Sequence, residues 1–181
     1  MNFLTKTLTA LLATAFTSAP VMATPSYFQD HVTLMAAVES VGVRVYVNSS
    51  HCDNANFYGF YRALGSGMMV ICQEGRVTGS QEMVPWSEED LDTLRHESHH
   101  LVQDCAAGVK GDALLGNIFN TKEELYNFIY PILGEKGINA IINAYGSAGD
   151  EVILLELEAF AVSDSIGADR IAQAVVNTCS R

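Results

Sequence analysis

Positive charge is scarce in this chain. Ten Lys and Arg stand against twenty-one Asp and Glu, a formal net charge of −11 with His neutral. Such a surface repels phosphate backbones and anionic headgroups, which argues against nucleic acid and membrane surfaces as partners. Cysteine is sparse too: four residues are too few for a fold built on disulfides. No two of them form a CxxC pair, so a cysteine zinc site is disfavoured. The sequence has no internal repeat and no low-complexity tract. With 49% hydrophobic and 17% charged residues it is neither disordered nor collagen-like, and it is long enough for one domain with its own core.

The start of the chain carries an apolar stretch of its own. Residues 1–23 carry one positive charge, Lys6, then an apolar run from Leu8 to Phe16, then Val21-Met22-Ala23 before Thr24. This is the pattern of a secretory signal peptide cut after Ala23. The run is too short to span the roughly 30 Å of a bilayer core, which needs about 20 apolar residues. No later segment approaches that length, so residues 24–181 are expected to form a single exported domain with no stable membrane association. Export, secreted or periplasmic, gives the four cysteines a second meaning, since outside the cytoplasm an even set is expected to pair. Three pairings are possible, and pairing neighbours (Cys52 with Cys72, Cys105 with Cys179) is preferred.

Patterning divides the domain into strands first and helices afterwards, an α+β arrangement. Residues 30–41 read as a short helix with Asp30 as its cap, and 43–47 alternate as a strand. Phe57–Ala63 and Met68–Gln73 read as a hairpin joined through Leu64-Gly65-Ser66-Gly67. Helices are expected over 87–106, 121–133, 136–145, 150–164 and 167–178, with Gly or Pro at most of the breaks.

Three of the five histidines fall within Arg95-His96-Glu97-Ser98-His99-His100. His96, Glu97 and His100 satisfy HExxH: imidazoles at i and i+4 of a helix point the same way and can share one Zn²⁺. The Glu after the first His then reaches a water on that metal. Ser87 and Asp90 resemble a capping box for this helix, behind the break at Pro85-Trp86. Leu91, Leu94, Leu101, Val102 and Cys105 form one apolar stripe, with His96 and His100 roughly opposite, beside Thr93 and Gln103. His99 is the weaker third histidine, because only the His96–His100 spacing leaves Glu97 in its role.

These residues resemble the zincin metallopeptidases, whose active-site helix carries HExxH. The metzincin branch needs glycine at position 103 and histidine at 106, where this chain has Gln103 and Ala106. The gluzincin branch takes a third ligand from a Glu on a later helix, and Glu151, Glu156 and Glu158 are available. Several gluzincin-like families carry that ligand as ExxA followed by Asp or Asn. Glu156-Leu157-Glu158-Ala159 matches with Glu156 as ligand, while Phe160 departs from the pattern and leaves open which residue braces His96 or His100. Neighbours give a separate vote. Glu156 sits among Val152, Ile153, Ala159, Phe160 and Ser163, a face that buries, where a carboxylate needs a cation or an Arg. Glu158 shares its face with Glu151 and reads as solvated, so the order of preference is Glu156, Glu158, Glu151.

Two functions follow. In the first, the chain is a secreted zinc hydrolase acting on peptide or protein substrates. His96, His100 and Glu156 hold Zn²⁺, Glu97 is the general base, Tyr145 or Tyr126 faces the oxyanion, and a hairpin edge pairs with extended substrate. In the second, it is a secreted binding or structural protein with no metal, or with a zinc site closed by His99 or Asp104.

Overall fold

A computed structural model describes residues 25–53, 56–73 and 84–180. The signal peptide expected over 1–23 lies outside the described residues. The chain folds as α+β, a small sheet followed by a helical half.

Helix α1 spans Pro25–Ser40, so it begins before the expected cap at Asp30. A proline at the first helical position loses no hydrogen bond, because that N–H has no partner inside the helix. The helix ends at Gly42, whose φ of 85° reverses the chain into β1, Arg44–Val47.

The expected hairpin forms, trimmed at both ends, as β2 (Gly59–Arg62) and β3 (Met68–Ile71). β3 also pairs parallel with β1, Arg44 opposite Met68, so the sheet order is β1-β3-β2. β3 is central because every residue of Met-Met-Val-Ile is buried and both its faces need cover. Its side chains alternate accordingly. Met69 and Ile71 enter the main core with Leu34, Val38, Leu94, Leu101, Ile171 and Val175. Met68 and Val70 face Cys52, Cys72, Phe57 and Phe60.

Both preferred disulfides are present. Cys52–Cys72 clamps the outer face of the sheet, and Cys105–Cys179 ties the end of the chain to the histidine helix. They point to an extracellular or otherwise oxidising compartment. Among the described residues no helix is long and apolar enough to cross a membrane.

α2, Glu88–Ala107, is the axis of the molecule and packs against α1, the sheet and the last two helices. Its capping box is complete: Asp90 N–H donates to Ser87 Oγ at 3.1 Å, and Ser87 N–H donates to Asp90 Oδ2 at 2.9 Å. α3, Lys122–Tyr145, runs through the break expected at 133–136, which survives as a kink at Gly134 with φ 60°. α4, Asp150–Ser165, packs between α2 and α3, and α5, Ala168–Cys179, closes the core against α1 and α2.

Candidate metal centre

α2 is buried nearly all round from Asp90 to Asp104, unlike an ordinary surface helix with one apolar stripe. From Leu94 onward the stripe read from sequence faces the main core. The opposite, polar face is covered by α4, and His96 and His100 are each only 7% exposed.

Where the two helices meet, three polar side chains converge. His96 Nε2 lies 3.1 Å from His100 Nε2 and 3.3 Å from Glu156 Oε2. His100 Nε2 lies 3.5 Å from Glu156 Oε1. Among the described residues these three form the candidate metal-holding group. Zinc–nitrogen bonds of roughly 2.0–2.1 Å at tetrahedral angles put donor atoms about 3.3–3.4 Å apart, close to these three separations, of which the two to Glu156 end on different carboxylate oxygens. Glu156 Oε2 makes no hydrogen bond despite its nearness to His96. A buried carboxylate oxygen without a donor, beside two imidazole nitrogens, is what a cation would satisfy. Burial alone would raise the Glu156 carboxyl, yet the His100 and His96 imidazoles outweigh it and hold it at about 2. Burial likewise opposes a charged His100, but the Glu156 and Glu97 carboxylates lift it to about 9. A proton held by this group is what a bound cation would displace.

Glu97 turns the other way, toward the sheet. Cys72 N–H donates to Tyr58 C=O, so pairs 58/72, 60/70 and 62/68 exchange the ladder bonds. Gly59 and Tyr61 therefore turn their backbone groups to the free edge of β2, and Tyr61 hydrogen-bonds Glu97 there. Burial raises the Glu97 carboxyl above its ordinary range, against the pull of His96 and His100. The two carboxylates of the centre are thus driven apart, Glu156 held down by its imidazole neighbours and Glu97 raised by burial.

A cleft of about 250 Å³ opens beside these groups. β2 and its approach supply Phe57, Tyr58 and Gly59, α2 supplies Asp92, Thr93, His96 and Glu97, and Tyr145 and Phe160 form the far wall. Of the two tyrosines left open by the sequence, Tyr145 is at the cleft. Burial, then the Glu156 and Glu97 charges, push its phenol up to about 12, so it stays a proton donor. Tyr126 stacks on Tyr130 at the surface, 52% exposed.

Glu158 is not solvated as its spacing from Glu151 suggested; it is fully buried. It accepts from His99 Nε2 at 2.7 Å, Gln103 Nε2 at 3.2 Å and Ile118 N–H at 3.1 Å. Glu151 lies in the first turn of α4, beyond the helix contact, whereas the segment around Ile118 folds over Glu158. Neither residue considered for closing the site reaches it. His99 belongs to Glu158, and Asp104 accepts from Tyr61 Oη at 2.7 Å and from Gly111 N–H at 3.0 Å. Nor does Arg95 pair with Glu156. It donates to Ser163 C=O, Asp92 and His31.

Phe160, at the position where the resemblance expects Asp or Asn, packs on the His96 ring with centroids 4.4 Å apart. Accordingly His96 Nδ1 has no hydrogen-bond partner among the described residues. Gln103, noted in the sequence as a neighbour of the histidines and as a departure from the metzincin pattern, contacts His100 instead. Its place three residues after His100 was the available signal, since i and i+3 share a helix face. No protein-family model, curated protein or solved structure matches the chain.

Proposed function

We propose that this chain is an exported, zinc-dependent hydrolase of peptide bonds, of the HExxH gluzincin type. What carries the reading is the triangle His96–His100–Glu156, with edges of 3.1, 3.3 and 3.5 Å, beside a carboxylate that does not join it. These three side chains would hold the zinc and leave one side open to the cleft. When bound, zinc polarises a carbonyl and lowers the pKa of water to about 7.

The chain's own residues supply the rest. Glu97, beside the triangle and raised by burial, accepts a proton as general base and returns it to the leaving amine. The Tyr145 hydroxyl, kept protonated, donates toward negative charge developing on the substrate oxygen. The free edge of β2 at Gly59 offers backbone groups to an extended peptide, and the aromatic walls exclude water. The closed-site alternative is weakened because His99 and Asp104 are both committed elsewhere.

The test is zinc content of purified protein, paired with cleavage of an unfolded protein substrate. One zinc per chain in the wild type and none in His96→Ala is expected, with cleavage lost together with the metal. A wild-type protein that takes up no zinc when it is supplied in excess would refute the proposal.

A further inference from the structure

Metal-ligating histidines ordinarily donate their second ring N–H to a fixed acceptor, which sets the tautomer and the ring's aim. The residue expected to do this is an apolar Phe160, so the support must come from elsewhere. Gln103 is fully buried and lies 2.7 Å from His100 Nδ1 through its Oε1. Its other end decides the chemistry. Gln103 Nε2 faces two acceptors, Leu155 C=O at 3.1 Å and Glu158 Oε1 at 3.2 Å, and neither can donate. The amide orientation is thereby fixed, and its oxygen is left for His100. An amide oxygen only accepts, so His100 Nδ1 must carry a proton, and Nε2 is the nitrogen turned to His96 and Glu156.

From this geometry we infer that Gln103 is the positioning residue of the centre, an HExxHxxQ arrangement in which the motif helix braces its own second histidine. Glu158 holds Gln103 and is held in turn by His99 and the Ile118 amide. The two glutamates two residues apart on α4 therefore have different tasks: Glu156 faces the metal position, and Glu158 orients the residue that orients His100. His96 has no such brace and is kept in place by packing on Phe160.

This inference rests on the zinc reading for its consequence but not for its geometry, so the experiment has two arms. In ¹⁵N-histidine-labelled protein, a buried and hydrogen-bonded His100 Nδ1 proton gives a slowly exchanging resonance with or without metal. It should be present in the wild type and in Gln103→Glu, and lost in Gln103→Met. In chelator competition, Gln103→Met should weaken zinc by about 10- to 100-fold, whereas Gln103→Glu, which keeps an acceptor, should stay within about threefold of wild type. Both variants should melt earlier, because each loses the donor to Leu155 and Glu158. Zinc affinity that merely follows melting temperature across both variants would overturn the positioning role. Absence of the protected proton in the wild type would do so whether or not Gln103→Met folds. A wild type that shows the proton but takes up no zinc supports the brace and sinks the metal reading instead.

Discussion

The three carboxylates around α2 differ by what surrounds them, and single substitutions should separate their tasks. Glu97→Gln keeps shape and the Tyr61 contact but cannot take a proton, so zinc should remain while hydrolysis falls by about 10²-fold or more. Glu156→Ala removes a donor from the triangle and should release zinc. Glu158→Ala should leave His99, Gln103 and the Ile118 amide without an acceptor, at a cost of roughly 3 kcal/mol, or about 6–12 °C in melting temperature. Zinc stoichiometry and thermal melting of all three variants check this. Loss of zinc from Glu97→Gln would contradict the assignment. At this scale the sequence was informative where neighbours on one helix decide the outcome: Val152, Ile153, Ala159 and Phe160 marked the Glu156 face as covered. It misled at Glu158, because the segment that buries that carboxylate arrives from forty residues away in the chain.

Contact between α2 and the edge of the sheet sets where Glu97 points. A Cβ at Gly59 would come within 2.7 Å of Thr93 Cγ2 and 2.8 Å of the Val70 carbonyl oxygen. The threonine methyl can yield, but the backbone oxygen belongs to the central strand and cannot. Gly59→Ala should therefore lift β2 from α2, cost roughly 1–3 kcal/mol, and draw the Tyr61 amide away from Glu97. The three side chains proposed to hold zinc sit on α2 and α4, so zinc binding should survive while hydrolysis drops. Unchanged hydrolysis at full zinc occupancy would show that the β2 edge does not position Glu97. Helix boundaries were largely legible in the sequence, because caps at Ser87 and Thr121 and the glycine at 134 act locally. The hairpin was legible for the same reason. The parallel β1–β3 pairing was not, since placing β3 between two strands answers to the burial of its whole surface rather than to any turn.

Across the whole molecule, the two disulfides brace different things. Cys52–Cys72 closes a span of 20 residues over the outer face of the sheet. Cys105–Cys179 closes 74 residues and holds α5 on the last turn of α2. In the chain-entropy view the longer link contributes about 4 kcal/mol and the shorter about 3 kcal/mol, by restricting the unfolded chain. Paired Cys→Ser variants should melt earlier in that order. The metal triangle adds a sharper expectation, because it depends on α2 against α4 and not on α5. Below its melting point, the Cys105→Ser/Cys179→Ser protein should bind one zinc with nearly wild-type affinity. Added zinc should also stabilise it by about the same free energy as the wild type and so raise its melting temperature clearly, since a ligand stabilises by its concentration relative to its Kd. Thermal melts with and without zinc, on wild type and both paired variants, test this. If the zinc-dependent rise disappears on removing the 105–179 link, then α5 and the end of α2 help shape the centre, and the triangle is not the self-contained product of two packed helices.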